Sequence, residues 1–304
     1  MANLKDIKSR INSVQNTKKI TKAMKMVAAA KVKKAEYTVK AARPFSDELL
    51  HLFRKMLATV NEYSSSGLKV ERALDNYAEL IKPRDVKAEG LLVMTSNKGL
   101  AGAYNSNIIK AAFKRINNNK ENGIKTYIYP VGQKAISAFK NKQNGDFVLK
   151  KGYMAIANDP NATGAALIAE DLAVDFVSGE LDSIDLITTH FNNMMSYNVV
   201  AWEILPVKIE KGEAKDVDPL MMFEPSPHAI LQQLVPMYIT NSIYQALLEA
   251  NASELASRMT AMSAASNNAE EMITSLTVDY NKVRQAAITN EIVEIVSGAN
   301  SVNK

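Results

Sequence analysis

Few residues in this chain have the type and spacing that would support chemistry. Gly99 and Gly102 follow an apolar stretch and precede a helical one, which is where phosphate-binding loops lie in nucleotide-binding folds. The dinucleotide fingerprint requires another glycine at position 97, which is Asn97, and the chain contains no Gly-Lys-Ser/Thr triplet of a Walker motif. A tight turn between a strand and a helix explains these glycines better than nucleotide binding does.

Other candidates for catalysis or metal binding are equally weak. Ser137 and Lys140 have the S-x-x-K spacing of some acyl-transfer enzymes, but the Ser-Asp-Asn and Lys-Thr-Gly partners of that motif are missing. His51, His190 and His228 lie far apart in the sequence, and the chain has no cysteine. We therefore predict a protein without catalytic residues, cofactor or metal.

The composition is that of a folded protein without a membrane span. Of the 304 residues, 47% are hydrophobic and 23% are charged, which excludes a wholly disordered chain. No stretch approaches the roughly 18 consecutive apolar residues of a transmembrane helix. The first residues lack both the apolar core of a signal peptide and the pattern of a transit peptide. These features predict a protein that faces the cytosol.

The two ends of the chain predict long helices. No glycine occurs before Gly67, and neither glycine nor proline occurs between Met237 and Gly298. Apolar or small residues near the C terminus alternate at spacings of four and three, which is typical of a left-handed coiled coil. These positions are Leu255, Met259, Met262, Ser266, Ala269, Ile273, Leu276, Tyr280, Val283 and Ala287.

The first helix begins with the same spacing and then departs from it. Leu4, Ile7, Ile11 and Val14 follow the repeat, after which we expect the pattern to slip through Ile20, Met24 and Val27. The simplest arrangement pairs the two ends as an antiparallel coiled coil. A single long helix in a homodimer is the alternative.

The middle of the chain predicts a small, Rossmann-like α/β domain. Strands alternate with helices, which favours a largely parallel sheet. We predict strands at 90–95, 125–131, 184–191 and 197–207, and helices at 105–116, 133–139 and 163–178. The expected organisation is a first long helix at 1–60, an α/β domain at 61–222 and a second long helix at 223–304.

Positive charge is concentrated on the first helix. Residues 1–55 contain 14 Lys or Arg and 4 Asp or Glu, whereas residues 227–304 contain 4 and 7. A basic helix of this kind could bind nucleic acid, or it could be a solvated face. An acidic protein partner fits it better, because complementary charge positions a partner without tight packing.

Five segments resemble the γ subunit of F-type ATP synthases. Residues 11–31 (INSVQNTKKITKAMKMVAAAK) resemble the N-terminal helix of that family, and residues 288–299 (ITNEIVEIVSGA) resemble its C-terminal signature. Residues 97–102 (NKGLAG), 256–269 (ASRMTAMSAASNNA) and 280–285 (YNKVRQ) match in order and spacing. The resemblance covers the whole chain.

This resemblance implies a rotating shaft. The terminal helices would form an antiparallel coiled coil inside the catalytic head of α and β subunits. The α/β domain would lie at the base, against the membrane c-ring and the ε subunit. Proton flow would turn the ring and thus the shaft, and the shaft would force the three catalytic sites through successive conformations. ATP would be made on neighbouring subunits, with no catalysis and no nucleic-acid binding by this chain.

The resemblance also assigns individual residues. It places seven against the catalytic subunits: Met24, Lys25, Arg258, Arg284, Gln285, Thr289 and Glu291. Met24 and Lys25 would lie near an acidic loop, and Arg284 and Gln285 would hydrogen-bond a loop of the same subunit. Equally, Met24 could be a seam residue, and Arg258 could pair with a carboxylate of the other helix. The segments facing the ring would be Arg43, Pro44 and Phe45, and Phe223, Glu224 and Pro225.

Further expectations concern regulation and location. Pro44 would mark a bend or a change of register in the first helix. The photosynthetic members of the family carry a regulatory segment, with a cysteine pair in plants, and this chain shows neither, which argues against redox gating. The resemblance and the missing transit peptide predict a peripheral protein on the cytoplasmic face of a bacterial cell membrane.

Overall fold

Two long helices are present at the ends of the chain, as the sequence predicts. The computed structural model describes residues 4–65, 80, 84–142, 145–207, 224 and 227–302. Helix α1 (Leu4–Ser65) has 62 residues, and helix α5 (Pro227–Val302) has 76. α1 continues past Pro44, which removes one helical hydrogen bond without ending the helix.

Between the long helices lies a five-stranded mixed sheet. Its strands are β1 (Ala88–Met94), β2 (Lys125–Val131), β3 (Val148–Leu149), β4 (Ser183–Asn193) and β5 (Ser196–Leu205). The order is β3-β2-β1-β4-β5, with the first four strands parallel and β5 antiparallel to β4. The connecting helices are α2 (Tyr104–Glu121), α3 (Gln133–Lys140) and α4 (Ala162–Val177). β2 has the predicted bounds, whereas the two-residue β3 was not predicted.

Both faces of the sheet are covered, which explains why its central strands are almost continuously apolar. On one face, Ile128 and Ile187 pack in a buried cluster with Ile108 of α2 and Phe139 of α3. On the other face, the cluster contains residues of α4 and also residues of α1 and α5, including Met56 and Ile243. The long helices therefore form part of the core that supports the sheet.

The chain forms two compact units. Residues 1–30 and 258–304 make one unit, and residues 31–257, which include the sheet, make the other. Within the second unit, Arg43 of α1 contacts Glu249 of α5, and Ser46 contacts Asn241. Because the position on α5 decreases as that on α1 increases, the two helices run antiparallel.

A buried ion pair fixes the start of β1 to α2. The Glu89 carboxylate, only 1% exposed, accepts hydrogen bonds from Arg115 and Asn119 of α2. Arg115 Nη2 also lies 3.0 Å from Asp185 Oδ2 on β4. The hydrogen bond with Glu89 is the main reason that the pKa of Arg115 is raised. These contacts stay within the strands and α2.

Candidate functional site

The unit of residues 1–30 and 258–304 has a coiled-coil seam along α5. Nine predicted positions from Met259 to Ala287 are buried or half-buried. Between residues 270 and 287, all the remaining side chains are exposed. Met262, Ser266 and Ala269 are the most buried of these nine. The four-three repeat of the sequence therefore identifies the face of α5 that packs.

The seam of α1 differs from the predicted one after Val14. Ile20 and Val27 are 61% and 57% exposed, so the expected slip onto these residues is wrong. Lys18 and Thr21 continue the repeat instead: Thr21 is 9% exposed, and Lys18 Nζ lies 2.9 Å from Glu270 Oε1 of α5. The physical reason is that the helical period overrides side-chain polarity, because Lys18 can lay its alkyl stem along the seam and pair its charge beyond it.

The residues predicted to contact catalytic subunits lie on this seam, beside it or beyond its end at Ala287. Met24 and Arg258 are half-buried, and Lys25 is exposed. Four more lie on successive turns near the end of α5 and are all exposed: Arg284, Gln285, Thr289 and Glu291. The Thr289 hydroxyl donates to the Gln285 backbone carbonyl at 2.9 Å, one turn earlier on the same helix.

The end of α5 carries apolar side chains on its surface, a feature that the sequence reasoning missed. All described side chains from 288 to 298 are exposed. Five of them are large and β-branched: Ile288, Ile292, Val293, Ile295 and Val296. The signal was available, because the four-three repeat ends at Ala287 while apolar residues continue beyond it.

The segment around Pro44, which is predicted to face the ring, has one side chain turned inward and two exposed. Arg43 is turned inward: its Nη2 donates to the Phe191 carbonyl at 2.9 Å and lies 3.2 Å from Glu249 Oε1. Pro44 and Phe45 are exposed, Phe45 at 58%. In the second predicted segment Glu224 is exposed, and Phe223 and Pro225 lie outside the described residues.

The glycine turn at 99–102 makes contacts within the protein. The Ser257 hydroxyl of α5 donates to the Ala101 carbonyl at 2.7 Å, and the Tyr104 hydroxyl donates to the Ala250 carbonyl at 3.0 Å. Burial raises the pKa of Tyr104 far above its ordinary value, so this hydroxyl stays protonated and remains a donor. The Asn97 side chain is also used, since its Oδ1 accepts from Gln133 N at 2.7 Å.

This turn lies where doubly wound domains usually bind their ligands. In the parallel order β3-β2-β1-β4, successive strands are added on one side of β1 up to β3 and on its other side from β4, and ligands of such sheets bind beyond the carboxyl ends of the two strands at this switch point. Here Ser257 of α5 contacts the turn that follows β1, and Ala250 contacts Tyr104 at the start of α2. Arg43 and Glu249 contact the end of β4. Residues of the long helices therefore occupy the place beyond the carboxyl ends of β1 and β4 where a ligand would bind.

Metal sites and membrane-spanning helices are both absent from the residues that the structure describes. Within the described ranges, no three His, Cys, Asp or Glu side chains lie close enough together to hold a metal ion. None of the helices in the described part of the chain is long and apolar enough to cross a membrane.

Comparison with known proteins gives consistent matches. A family model described as ATP synthase matches residues 3–302. The ATP synthase gamma chain of a Synechococcus strain is 39% identical over 328 aligned positions, covering 99% of this chain and 100% of that protein. That of a Picosynechococcus strain is 40% identical with the same coverage. A chain in the central stalk/c-ring structure of the Tetrahymena thermophila mitochondrial ATP synthase is 30% identical, with a TM-score of 0.55, and the match covers 81% of this chain and 99% of that one.

The predicted fold is an antiparallel coiled coil of the two terminal helices with an inserted α/β domain. This fold is confirmed, and the matches agree with it. The alignments exceed the 304 residues of this chain in length, so the cyanobacterial relatives carry additional residues within the aligned region. Since the family model spans nearly the whole chain and the relatives match it from end to end, this chain belongs to the family of ATP synthase gamma chains.

Proposed function

We propose that this chain is the central-stalk rotor subunit of an F-type ATP synthase. It transmits torque between an ion-driven membrane ring and a catalytic head, and so couples ion translocation to ATP synthesis. The observation that carries the proposal is the end-to-end family match of a chain whose two ends pair along one continuous seam. The chain itself is non-catalytic in this proposal, and the nucleotides bind to its neighbours.

The described surface supports a shaft whose contacts depend on its angle. The outer face of α1 in residues 4–30 is basic, with exposed Lys19, Lys22 and Lys25, whereas α5 presents exposed Glu270 and Glu271. A head with three similar sites around such an asymmetric shaft meets a different charge pattern at each site. Each shaft angle therefore favours one set of head conformations, and rotation shifts the populations of the three sites in turn.

Individual residues have proposed roles within this function. Lys25 is exposed and suits an acidic loop of a catalytic subunit, while the half-buried Met24 beside it positions that turn against the seam. Arg284 and Gln285 offer donors to a second loop, and Arg258, Thr289 and Glu291 influence coupling efficiency. At the base of the shaft we propose contacts of Pro44, Phe45 and the 223–225 segment with the c-ring and the ε subunit. Phe45 is the exposed apolar contact, because Arg43 is occupied internally.

We further propose the organisation and location of the protein. The α/β domain comprises residues 61–222, between helical segments at 1–60 and 223–304. The complex lies on the cytoplasmic face of a bacterial cell membrane, with this chain as a peripheral subunit. The bacterial relatives support this assignment.

The test is an affinity purification of the tagged chain from gently solubilised membranes, with ATPase assays on the eluate and on the chain alone. We expect α, β, ε and ring subunits in the eluate, ATPase activity in the complex and none in the isolated chain. ATPase activity of the isolated chain would contradict the non-catalytic role. Recovery of the chain alone, or with nucleic acid that dissociates steeply as salt is raised, would instead favour the basic helix as a nucleic-acid site.

A further inference from the structure

The end of β4 extends beyond its neighbouring strand. The pairing of β1 with β4 ends at Val93 and Ile187, whereas β4 continues to Asn193. On that side the last part of β4 therefore has no strand partner among the described residues. Its backbone groups at Phe191 are instead bound by the long helices: Arg43 Nη2 donates to the carbonyl at 2.9 Å, and the amide donates to Glu249 Oε2 at 3.3 Å.

Glu249 is the centre of this arrangement. Its side chain is 7% exposed, and polar groups of two residues lie against each of its two oxygens. Oε1 accepts from Arg43 Nε at 3.2 Å and from Gln245 Nε2 at 3.0 Å. Oε2 accepts from the Phe191 amide and lies 2.5 Å from His190 Nδ1. A carboxylate has about four lone-pair sites, and this one has four neighbouring residues: Arg43, Gln245, Phe191 and His190.

The surroundings make these contacts stronger than surface contacts would be. A buried apolar cluster joins the same three elements, with Val39 of α1, Phe191 of β4, and Leu248 and Ala252 of α5. Apolar packing excludes water and lowers the local dielectric, which strengthens a fully partnered charge and penalises an unpartnered one. The carboxylate therefore favours one arrangement of α1, β4 and α5 over arrangements in which any of the three has shifted.

We propose that Glu249 is a positioning residue for torque transmission. Together with Arg43 and His190 it joins the end of β4 to both long helices, so that rotation of the sheet domain passes to α1 and α5 at the same point. We call this contact of Arg43, His190 and Glu249 the joint. It lies where doubly wound domains bind a ligand. This inference rests on the proposed rotor function.

Glu249→Gln is the decisive variant, and Glu89→Gln is its matched control. A Gln side chain has nearly the same size, but it has no charge and directs an NH₂ group at neighbours that are themselves donors. Glu89 is likewise a buried carboxylate paired with an arginine, but its partners Arg115 and Asn119 both belong to α2 and not to the long helices. Both variants lose a buried ion pair, and only one loses the joint.

The assay compares ATP-driven proton pumping with ATP hydrolysis in vesicles that contain the assembled complex. We expect Glu249→Gln to lose pumping per ATP hydrolysed, and Glu89→Gln to keep the wild-type ratio. Arg43→Lys keeps the charge but loses the fork that reaches both Glu249 and the Phe191 carbonyl, so we expect an intermediate loss. If Glu249→Gln does not assemble, Arg43→Lys against Glu89→Gln is the same comparison.

The outcomes separate the joint from the function on which it rests. Equal ratios in the joint variants and in Glu89→Gln, with a wild-type complex that pumps, would overturn the joint and leave the rotor function standing. A wild-type chain that assembles with no ATPase would overturn the rotor function, and the joint with it.

Discussion

Replacing Met24 by lysine tests whether this turn of α1 is a contact surface. Met24 is half-buried at the edge of the seam, between the buried residues Thr21 and Ala28. Full burial of a methionine side chain contributes about 1.5–3 kcal/mol, so the loss of partial burial costs about 1 kcal/mol. Lysine and methionine have similar helix propensities, and the positions three and four residues away carry no charge. The coiled coil should therefore survive the change.

Met26→Lys is the matched control on the same helical turn. Met26 is 60% exposed and points away from the seam, and a lysine there would face Lys22 four residues earlier. That like-charge pair costs about 0.2–0.5 kcal/mol. Within α1 itself, the added repulsion is thus larger in the control than in Met24→Lys, although both variants add the same charge.

The assay is proton pumping relative to ATP hydrolysis in membrane vesicles. If the turn at Met24 and Lys25 lies against an acidic loop, Met24→Lys adds a second attraction there and should hold the shaft in one orientation. We expect pumping to fall more than hydrolysis in Met24→Lys and the ratio to remain normal in Met26→Lys. Equal ratios in the two variants, or a parallel loss of both activities in Met24→Lys, would refute the reasoning and indicate misassembly.

Three further predictions concern stability, each measured by urea unfolding of the purified chain. Gly132→Ala should lower the free energy of unfolding by about 3 kcal/mol or more, because φ is +89° and the new Cβ would lie 2.3 Å from the Thr95 backbone oxygen. Gly179→Ala, where φ is +78° and the space is open, should lower it by only about 1–2 kcal/mol. Thr188→Val should be neutral or stabilising by about 1 kcal/mol, because the Thr188 hydroxyl is buried without a partner among the described residues; a large loss would reveal a hidden one. Burial alone would raise the pKa of Asp171, but hydrogen bonds led by that from Lys151 outweigh it and lower the pKa. Stability from this carboxylate is present above its unfolded-state pKa of about 4 and is lost as the pH falls through the folded-state value, so Asp171→Asn should flatten the acid decline.

The seam of α5 was predictable because periodicity records it directly. A residue that packs in a coiled coil must recur at three and four positions, whatever its polarity, and Ser266 and Tyr280 fit that rule as well as Leu276 does. The seam of α1 was predicted incorrectly at Ile20 and Val27, because the reasoning followed apolar residues and left the period, whereas the predicted Met24 is half-buried. A lysine was not considered as a seam residue, although its stem can pack while its charge pairs outside.

The sheet was predictable in its main strands for a related reason. Strands such as β2 are buried on both faces and therefore stand out as apolar runs between turns. β3 has only two residues, one exposed and one half-buried, so it carries no such pattern. Its place in the sheet is set by pairing with Tyr127 and Ile128, which no local signal records.

The joint at Glu249 could not be predicted, because its members are distant in sequence. Arg43 and Glu249 are separated by 206 positions, and His190 was set aside as a lone histidine. One signal was present: Glu249 interrupts the apolar run Ala246-Leu247-Leu248, and an acid in such a run must find a partner or stay uncharged. The sequence indicates that a partner exists, and only the fold identifies it.

The faces of the coiled coil constrain which residues can meet a partner. Seam positions such as Met262 and Ala269 are occupied by the other helix, so they can influence a head only through the position of that helix. The exposed positions can contact a partner directly; they are basic on α1 and mixed on the middle of α5, and they include five large apolar side chains beyond Ala287. Substitutions on the seam should therefore change stability and coupling together, whereas substitutions at Lys25 or Arg284 should change coupling with little effect on the unfolding of the chain. A seam variant that uncoupled the enzyme at unchanged stability would contradict this division.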